Sequence, residues 1–232
     1  MEVIRSKNPA EEAGKALQQL LIKYKDQSVL LMLSGGSALT LLDQIAAESL
    51  SENLTLTVLD ERCSSDENIN NFAQIEKTEF YKRASGKKVK TISTKVYDNN
   101  GCQEVAEKWE TELREWRQEN PSGIIIATVG IGLDGHTAGI MPGDYANSFA
   151  LGKWAVSYEV PKEVNEYTKR ITVTPTFMIE QIDFAIVYAA GKEKQVIVKR
   201  LENDTDCNQG LTPVCILRKM KSTWLFTDID TD

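Results

Sequence analysis

The sequence predicts an α/β fold with a largely parallel central sheet and helices on both faces. Three observations carry this. Short apolar runs rich in β-branched residues recur at 29–33, 54–59, 124–129 and 184–188. They alternate with longer stretches whose apolar residues fall at helical spacing. The first run opens directly into Ser34-Gly35-Gly36-Ser37 and then into helical spacing again. Strands of this kind are covered on both faces by crossover helices, which makes the sheet parallel. The 232 residues show no internal repeat, low-complexity tract or linker, so a single domain over 1–232 is expected.

Taken in order, the first helix begins at Pro9, where a missing N–H costs nothing, with Asn8 or Ser6 as its cap. Ala13, Ala16, Leu17, Leu20 and Leu21 keep helical spacing to about residue 24. After the 29–33 strand and its glycine turn, Leu39, Leu41, Leu42 and Ile45 continue as a helix. Strand, glycine turn and helix together aim free backbone N–H groups at whatever lies above them. The 54–59 strand runs into Asp60-Glu61-Arg62. Residues 65–81 open as a polar turn and become one helix carrying Phe72, Ile75 and Phe80, and 89–94 is a short strand. Residues 102–119 form a charged helix with Val105, Trp109, Leu113 and Trp116 on one face, ended by Asn120, Pro121 and Gly123. The buried strand 124–129 follows. Strands are expected at 154–160 and 170–173, and a short helix at 175–182. The 184–188 strand leads through Ala189-Ala190-Gly191-Lys192-Glu193-Lys194 into a helix to about 203, and 222–227 is the closing strand.

Composition narrows the function. A hydrophobic content of 41% and a charged content of 26% fit an ordinary globular core. The net charge of −7 argues against a general nucleic-acid binder, which needs a basic footprint. An anionic ligand would need a local cluster of cations and N–H groups. No apolar run is long enough to span a bilayer, and the N-terminal residues lack the apolar core of a signal peptide. Cys63, Cys102, Cys207 and Cys215 show no CxxC spacing, and with a single histidine no zinc site is expected. A reduced, cytoplasmic protein is the expectation.

The segment after the 124–129 strand concentrates the chemistry. Five glycines, at 130, 132, 135, 139 and 143, surround His136, the only histidine in the chain. A titratable imidazole in a glycine loop at the carboxyl end of a buried strand is a candidate general base. Gly130, Gly132 and Gly135 also spell G-x-G-x-x-G. Gly139, Pro142 and Gly143 break the helix that a dinucleotide fingerprint requires, so that reading is set aside. Asp134 lies two residues before His136, either fixing its tautomer or bonding turn N–H groups. Asp60 and Arg62 follow a strand at the end of the sheet that should also hold the SGGS turn and the histidine loop, while Arg170 opens a strand and Lys194 lies at a helix start, where either could be a solvated surface charge. Two or three of those cations converging would make an anion site within an acidic protein.

Together, SGGS after one strand, DER after the next and GIGLDGHTAGIMPG resemble the glucosamine-6-phosphate isomerase/6-phosphogluconolactonase family, the lactonases most closely. KRITVT at 169–174, AAGKEKQVIVKRL, LTPVCIL and STWLFTD extend the resemblance over most of the chain, and DGHTAGIMPG is its most specific piece. It implies a Rossmann-like three-layer fold of the NagB/RpiA/CoA transferase type. The implied activity is hydrolysis of 6-phospho-D-glucono-1,5-lactone to 6-phosphogluconate in the pentose phosphate pathway, with no metal or cofactor. His136 would activate water and Asp134 would orient it. Gly35, Gly36, Ser37 and Gly132 would line the substrate pocket, bordered by Asp60, Arg62 and Asn71, with Arg170 and Lys194 on the phosphate. The implied partner is a small sugar-phosphate lactone, without nucleic acid or membrane, the protein being a monomer or weak homodimer. Two alternatives stand beside this reading: an amino-sugar-phosphate deaminase or isomerase, and a catalytically silent sugar-phosphate binder. The deaminases resemble DGHIAFNEP, with a Glu where this chain has Met141, and tend to have Tyr at the place of Arg62. The chain departs from the lactonases in Ala38-Leu39 after SGGS and in its 161–169 segment.

Overall fold

A computed structural model describes residues 1–97, 101–203, 207–208 and 211–231. Its centre is set by strands with no exposed face. β2 (Val29–Leu33) and β3 (Leu54–Val58) are buried at every position. β6 (Ile124–Gly130) is buried through its middle, with Ile125, Ile126, Ala127 and Val129 in the core. Such strands need cover on both sides, which only crossover helices provide.

The seven-stranded sheet has the order β1 (Glu2–Arg5), β10 (Thr223–Thr227), β9 (Phe184–Tyr188), β6, β2, β3, β5 (Lys90–Thr91), and every pairing is parallel. From β2 the chain works outward through β3 to β5. It then returns to β2's other side with β6 and works outward through β9 to β10. The order therefore reverses between β2 and β6, and the crevice at their carboxyl ends is where a ligand site belongs.

The helices largely follow the apolar spacing. α1 (Pro9–Lys23) buries Ala13, Leu17, Leu20 and Leu21 and carries Pro at its first turn. Asn8 stands at its cap position but makes no side-chain cap, and the Ser6 hydroxyl accepts from the Asn8 N–H instead at 3.0 Å. α4 (Cys102–Glu119) packs Val105, Trp109, Leu113 and Trp116 inward, and the Trp109 indole donates to Thr57 at 3.0 Å. α5 (Pro175–Gln181) and α6 (Gln195–Asn203) match their expected spans closely.

Four local expectations are corrected. The helix after the glycine turn is 3₁₀ over Gly36–Gln44, and the Thr40 hydroxyl takes the Ser37 carbonyl at 2.8 Å, competing for an α-helical acceptor. The single helix in 65–81 is two, α2 (Asn71–Glu76) and α3 (Glu79–Gly86). Thr78 separates them by accepting from the Tyr81 N–H as a new N-cap. The strands at 154–160 and 170–173 do not join the parallel sheet. β7 (Ala155–Glu159) and β8 (Lys169–Val173) form a separate antiparallel sheet with β4 (Asp60–Arg62), in the order β4-β8-β7. Finally, the four cysteines are not reduced: Cys63 pairs with Cys102 and Cys207 with Cys215, at Cα separations of 5.9 and 5.5 Å. The cytoplasmic expectation loses the support it drew from free thiols. Among the described residues, no helix is long and apolar enough to cross a membrane.

Thiol titration of the unfolded, unreduced protein should find no free cysteine. The Cys63–Cys102 bridge spans 39 residues of sequence, so the Cys63→Ser/Cys102→Ser variant should lose about 3–4 kcal/mol in urea unfolding. An unchanged midpoint would remove the bridge from the account of stability.

Candidate active site

Where β2 and β6 part, the chain builds a polar cleft. Its walls are the 34–37 turn after β2, Asp60 and Arg62 of β4, Asn71 at the start of α2, Arg170 of β8, and Gly130, Ile131, His136, Ala138 and Gly139 from the loop after β6. The two loops are tied at their base. The Ser34 N–H donates to the Thr128 hydroxyl at 3.0 Å, and the Gly130 N–H to the Ser34 hydroxyl at 3.4 Å.

His136 is held by its own loop. Its ring Nδ1 lies 2.6 Å from Asp134 Oδ1, and its backbone N–H donates to the same oxygen at 3.0 Å. Asp134 thus does both things its position allowed, orienting the imidazole and bonding the turn. Burial alone would raise its carboxyl, but the hydrogen bond and charge of His136 and the nearby N–H groups hold it below the ordinary value. With an ionised carboxylate at Nδ1, the ring proton sits on that nitrogen and the Nε2 lone pair is left free. Gly132 does not line the cleft. A Cβ there would overlap the His136 ring and come within 2.7 Å of Asp134 Oδ1, so glycine is what lets the imidazole fold back onto the loop.

The far side of the loop is clamped by the antiparallel sheet. Ala138 has φ 49° and Gly139 φ 67°, left-handed conformations that cost energy for a non-glycine residue. The Thr172 hydroxyl donates to the Ala138 carbonyl. Tyr158 donates to the Gly139 carbonyl at 2.6 Å and accepts from the Met141 N–H at 3.0 Å. Burial pushes the Tyr158 hydroxyl up to about 12, so it stays a neutral donor. A Cβ on Gly139 would lie 2.7 Å from Asp60 Cβ, which explains the glycine where loop and β4 meet.

The charged wall is asymmetric. Arg170 Nη2 pairs with Asp60 Oδ2 at 2.9 Å, both side chains being less than a tenth exposed. Arg62 is the register partner of Arg170 but forms no ion pair among the described residues, and its guanidinium lies 4.4 Å from the centre of the Tyr167 ring. Asn71 donates to the Asp60 carbonyl at 2.9 Å. Its carboxamide oxygen and Arg170 Nε are buried without a protein partner. Lys194 is not among the cleft residues. It follows β9 at the same edge of the sheet, half-buried, and burial lowers its amine against the opposing charge of Glu193. Among the described residues, no group of three His, Cys, Asp or Glu side chains converges as a metal site.

With this geometry in view, a model of the glucosamine-6-phosphate isomerases/6-phosphogluconolactonase family matches residues 6–225. The chain belongs to this family. Solved structures agree on the fold. A 6-phosphogluconolactonase from Plasmodium vivax superposes with a TM-score of 0.75 at 16% identity, covering 97% of this chain and 88% of that one. One from Trypanosoma cruzi gives 0.74 at 22% identity, covering 97% and 94%. A monomeric glucosamine-6-phosphate deaminase of the NagB superfamily gives 0.72 at 17% identity, covering 98% and 97%. No relative among the curated proteins matches by sequence.

Within this family fold, several residues that shape the site were not legible in its motifs. Tyr158, Thr172 and Tyr167 reach the site from a different sheet or its loop. Glu61 stands inside the DER motif yet points away from solvent. Fully buried, it accepts from the N–H groups of Asn71 and Phe72 and from the Thr94 hydroxyl, and so anchors the start of α2. Its alternation with Asp60 and Arg62 along β4 is the one sequence signal for that.

Burial pushes the Glu61 carboxyl up to about 8 against the lowering pull of those three donors. The folded state therefore keeps, between its ordinary value of 4.5 and about 8, a proton that the unfolded chain releases. This residue's contribution to stability falls as pH rises through that window and is flat above it. Urea unfolding of wild type and Glu61→Gln should show the difference shifting against wild type from about pH 5 to about pH 8. A difference independent of pH would contradict a buried, protonated Glu61.

Proposed function

We propose that the chain hydrolyses a phosphorylated sugar lactone, 6-phospho-D-glucono-1,5-lactone, to 6-phosphogluconate in the pentose phosphate pathway. The observation that carries this is the sole histidine of the chain, its Nδ1 held by Asp134, lining one cleft with Arg62 and Arg170. In this reading Nε2 takes a proton from water as the water oxygen attacks the lactone C1. The carbonyl oxygen gains charge, and the C1–O5 bond then breaks with O5 taking a proton. The product is the open hydroxy acid. A δ-lactone is an activated ester, so one positioned base suffices without a covalent intermediate.

The roles of the other residues follow from placement. Arg62 and Arg170 take the phosphate, remote from C1, and convert its binding into orientation of the ring. The glycine turn at 34–37 lines the cleft, and any of its backbone N–H groups that meets the oxyanion would be worth roughly 3–4 kcal/mol. Lys194 would join them only by reaching in from the neighbouring loop.

Both lactonases and a deaminase share the fold, so the fold does not choose between them. Met141 favours the lactonase. It stands where the deaminases this chain resembles carry a glutamate, and it is wholly buried with no titratable group. A silent sugar-phosphate binder would have no use for the ordered Asp134–His136 pair.

His136→Ala should fold normally and lose about 10²- to 10⁴-fold in kcat on the lactone, measured as acid release above the spontaneous background. Wild-type turnover in this variant would sink the mechanism. Ammonia release from glucosamine 6-phosphate by the wild type would replace it with the deaminase.

A further inference from the structure

The geometry points to Tyr167 as a positioning residue that holds Arg62 for the anionic end of the ligand. The 161–169 segment, in which the chain departs from the lactonases it resembles, thereby sets affinity for phosphorylated over unphosphorylated ligands. This rests on the proposed reading of the cleft.

Arg62 and Arg170 sit side by side as cross-strand partners on β4 and β8. Like charges in that register repel. Arg170 is neutralised and fixed by Asp60, but Arg62 has no carboxylate among the described residues. A long cationic side chain in that position would turn outward to water. The Tyr167 ring, 4.4 Å from the guanidinium carbon, gives it a reason to stay.

The kind of support matters. A carboxylate would hold Arg62 by its in-plane N–H groups and cancel its charge. An aromatic face holds it through the π surface and leaves all five donors and the full charge for a ligand. That arrangement fits a group that must recognise phosphate without being neutralised beforehand.

The ring is itself well placed to act as a support. The Tyr167 N–H donates to Asn165 Oδ1 at 3.0 Å, and the Val160 N–H donates to the Thr168 carbonyl at 2.9 Å, closing the loop between β7 and β8. The Cys63 N–H, one residue past Arg62, donates to the Lys169 carbonyl at 3.0 Å. The guanidinium therefore hangs from β4 and the ring from the loop that runs into β8, the strand bonded to it. Tyr167 is not part of the cleft wall, so it acts through Arg62.

The test compares Tyr167→Leu, which keeps bulk but removes the π face, with Tyr167→Phe, which keeps both. Steady-state kinetics on 6-phospho-D-glucono-1,5-lactone should show KM raised about fivefold in the leucine variant with kcat nearly unchanged. KM for unphosphorylated glucono-1,5-lactone should not move, and the phenylalanine variant should behave as wild type. Equal losses on both lactones, or a phenylalanine variant as impaired as the leucine one, would overturn the inference. Calorimetric titration with inorganic phosphate decides it independently of turnover. Weaker binding in Tyr167→Leu, retained in Tyr167→Phe, supports it even if the wild type proves to hydrolyse no lactone. Unchanged binding in Tyr167→Leu, or none in the wild type, overturns it. In an Arg62→Met background, which removes the cation, the leucine substitution should add nothing, and a full additional loss there would count against the inference.

Discussion

The buried ion pair between Asp60 and Arg170 is the constraint on which the cleft depends. It joins the start of β4, directly downstream of β3 in the parallel sheet, to β8 in the antiparallel one. Two charges withdrawn from water are costly, and the geometry must return that cost through close contact and further hydrogen bonds. Here the surroundings supply them. Asn71 donates to the Asp60 carbonyl, and Glu61, next along the strand, anchors the helix that carries Asn71. Gly139 packs directly on the Asp60 side chain. The loop that carries His136, the second sheet and α2 thus meet at one aspartate. Breaking the pair from either side leaves a charge stranded in all three contacts at once.

The same arrangement explains why the loop can hold a strained turn. Ala138 pays for its left-handed backbone with the hydrogen bonds that Thr172 and Tyr158 make to the carbonyls of Ala138 and Gly139. Both donors belong to the antiparallel sheet, which the ion pair sets in register. His136 lies two residues upstream of that turn and is fixed separately by Asp134. The loop is therefore pinned at two points that share no partner. Local chemistry sets the imidazole, and tertiary packing sets the distance from it to the charged wall.

That division is also the line between what the sequence reveals and what it hides. The parallel strands were legible because a run such as Leu30-Leu31-Met32 can only be buried, and burial on both faces dictates crossovers. The 34–37 turn and the 130–139 loop were legible because glycine and a lone histidine mark themselves. β4 was not legible as a strand: three consecutive charged residues carry no apolar alternation, and only a buried salt bridge and a buried glutamate make it one. The antiparallel sheet around it was missed for the same reason. Motif position shows that a glycine is needed at 132, not which neighbour needs it, and that neighbour is the His136 ring rather than a ligand. Lys194 was placed in the pocket by resemblance, while the 192–194 turn leaves it outside the wall. Tyr158, Thr172 and Tyr167 act across segments far apart in the chain, and no local spacing announces them. The cysteine pairings share that property, being contacts that only the fold brings together.

An acidic protein proposed to bind a phosphorylated ligand raises the question of how ligand and net charge are reconciled. At physiological ionic strength exposed charges more than about 8 Å away are largely screened. The surface excess of Asp and Glu then does little to repel an approaching phosphate, while a cation in contact with it keeps most of its effect. Within the cleft the count is different from the whole chain. On the charged wall Asp60 is offset by Arg170, which leaves Arg62, among the described residues, as the charge without an opposite number. Had Arg62 been paired as Arg170 is, the wall would be neutral and the site would bind a sugar no better for carrying a phosphate. In the proposed function, the selectivity of the cleft for a phosphorylated ligand would therefore reside in what Arg62 lacks, and its precision in the aromatic ring beside it.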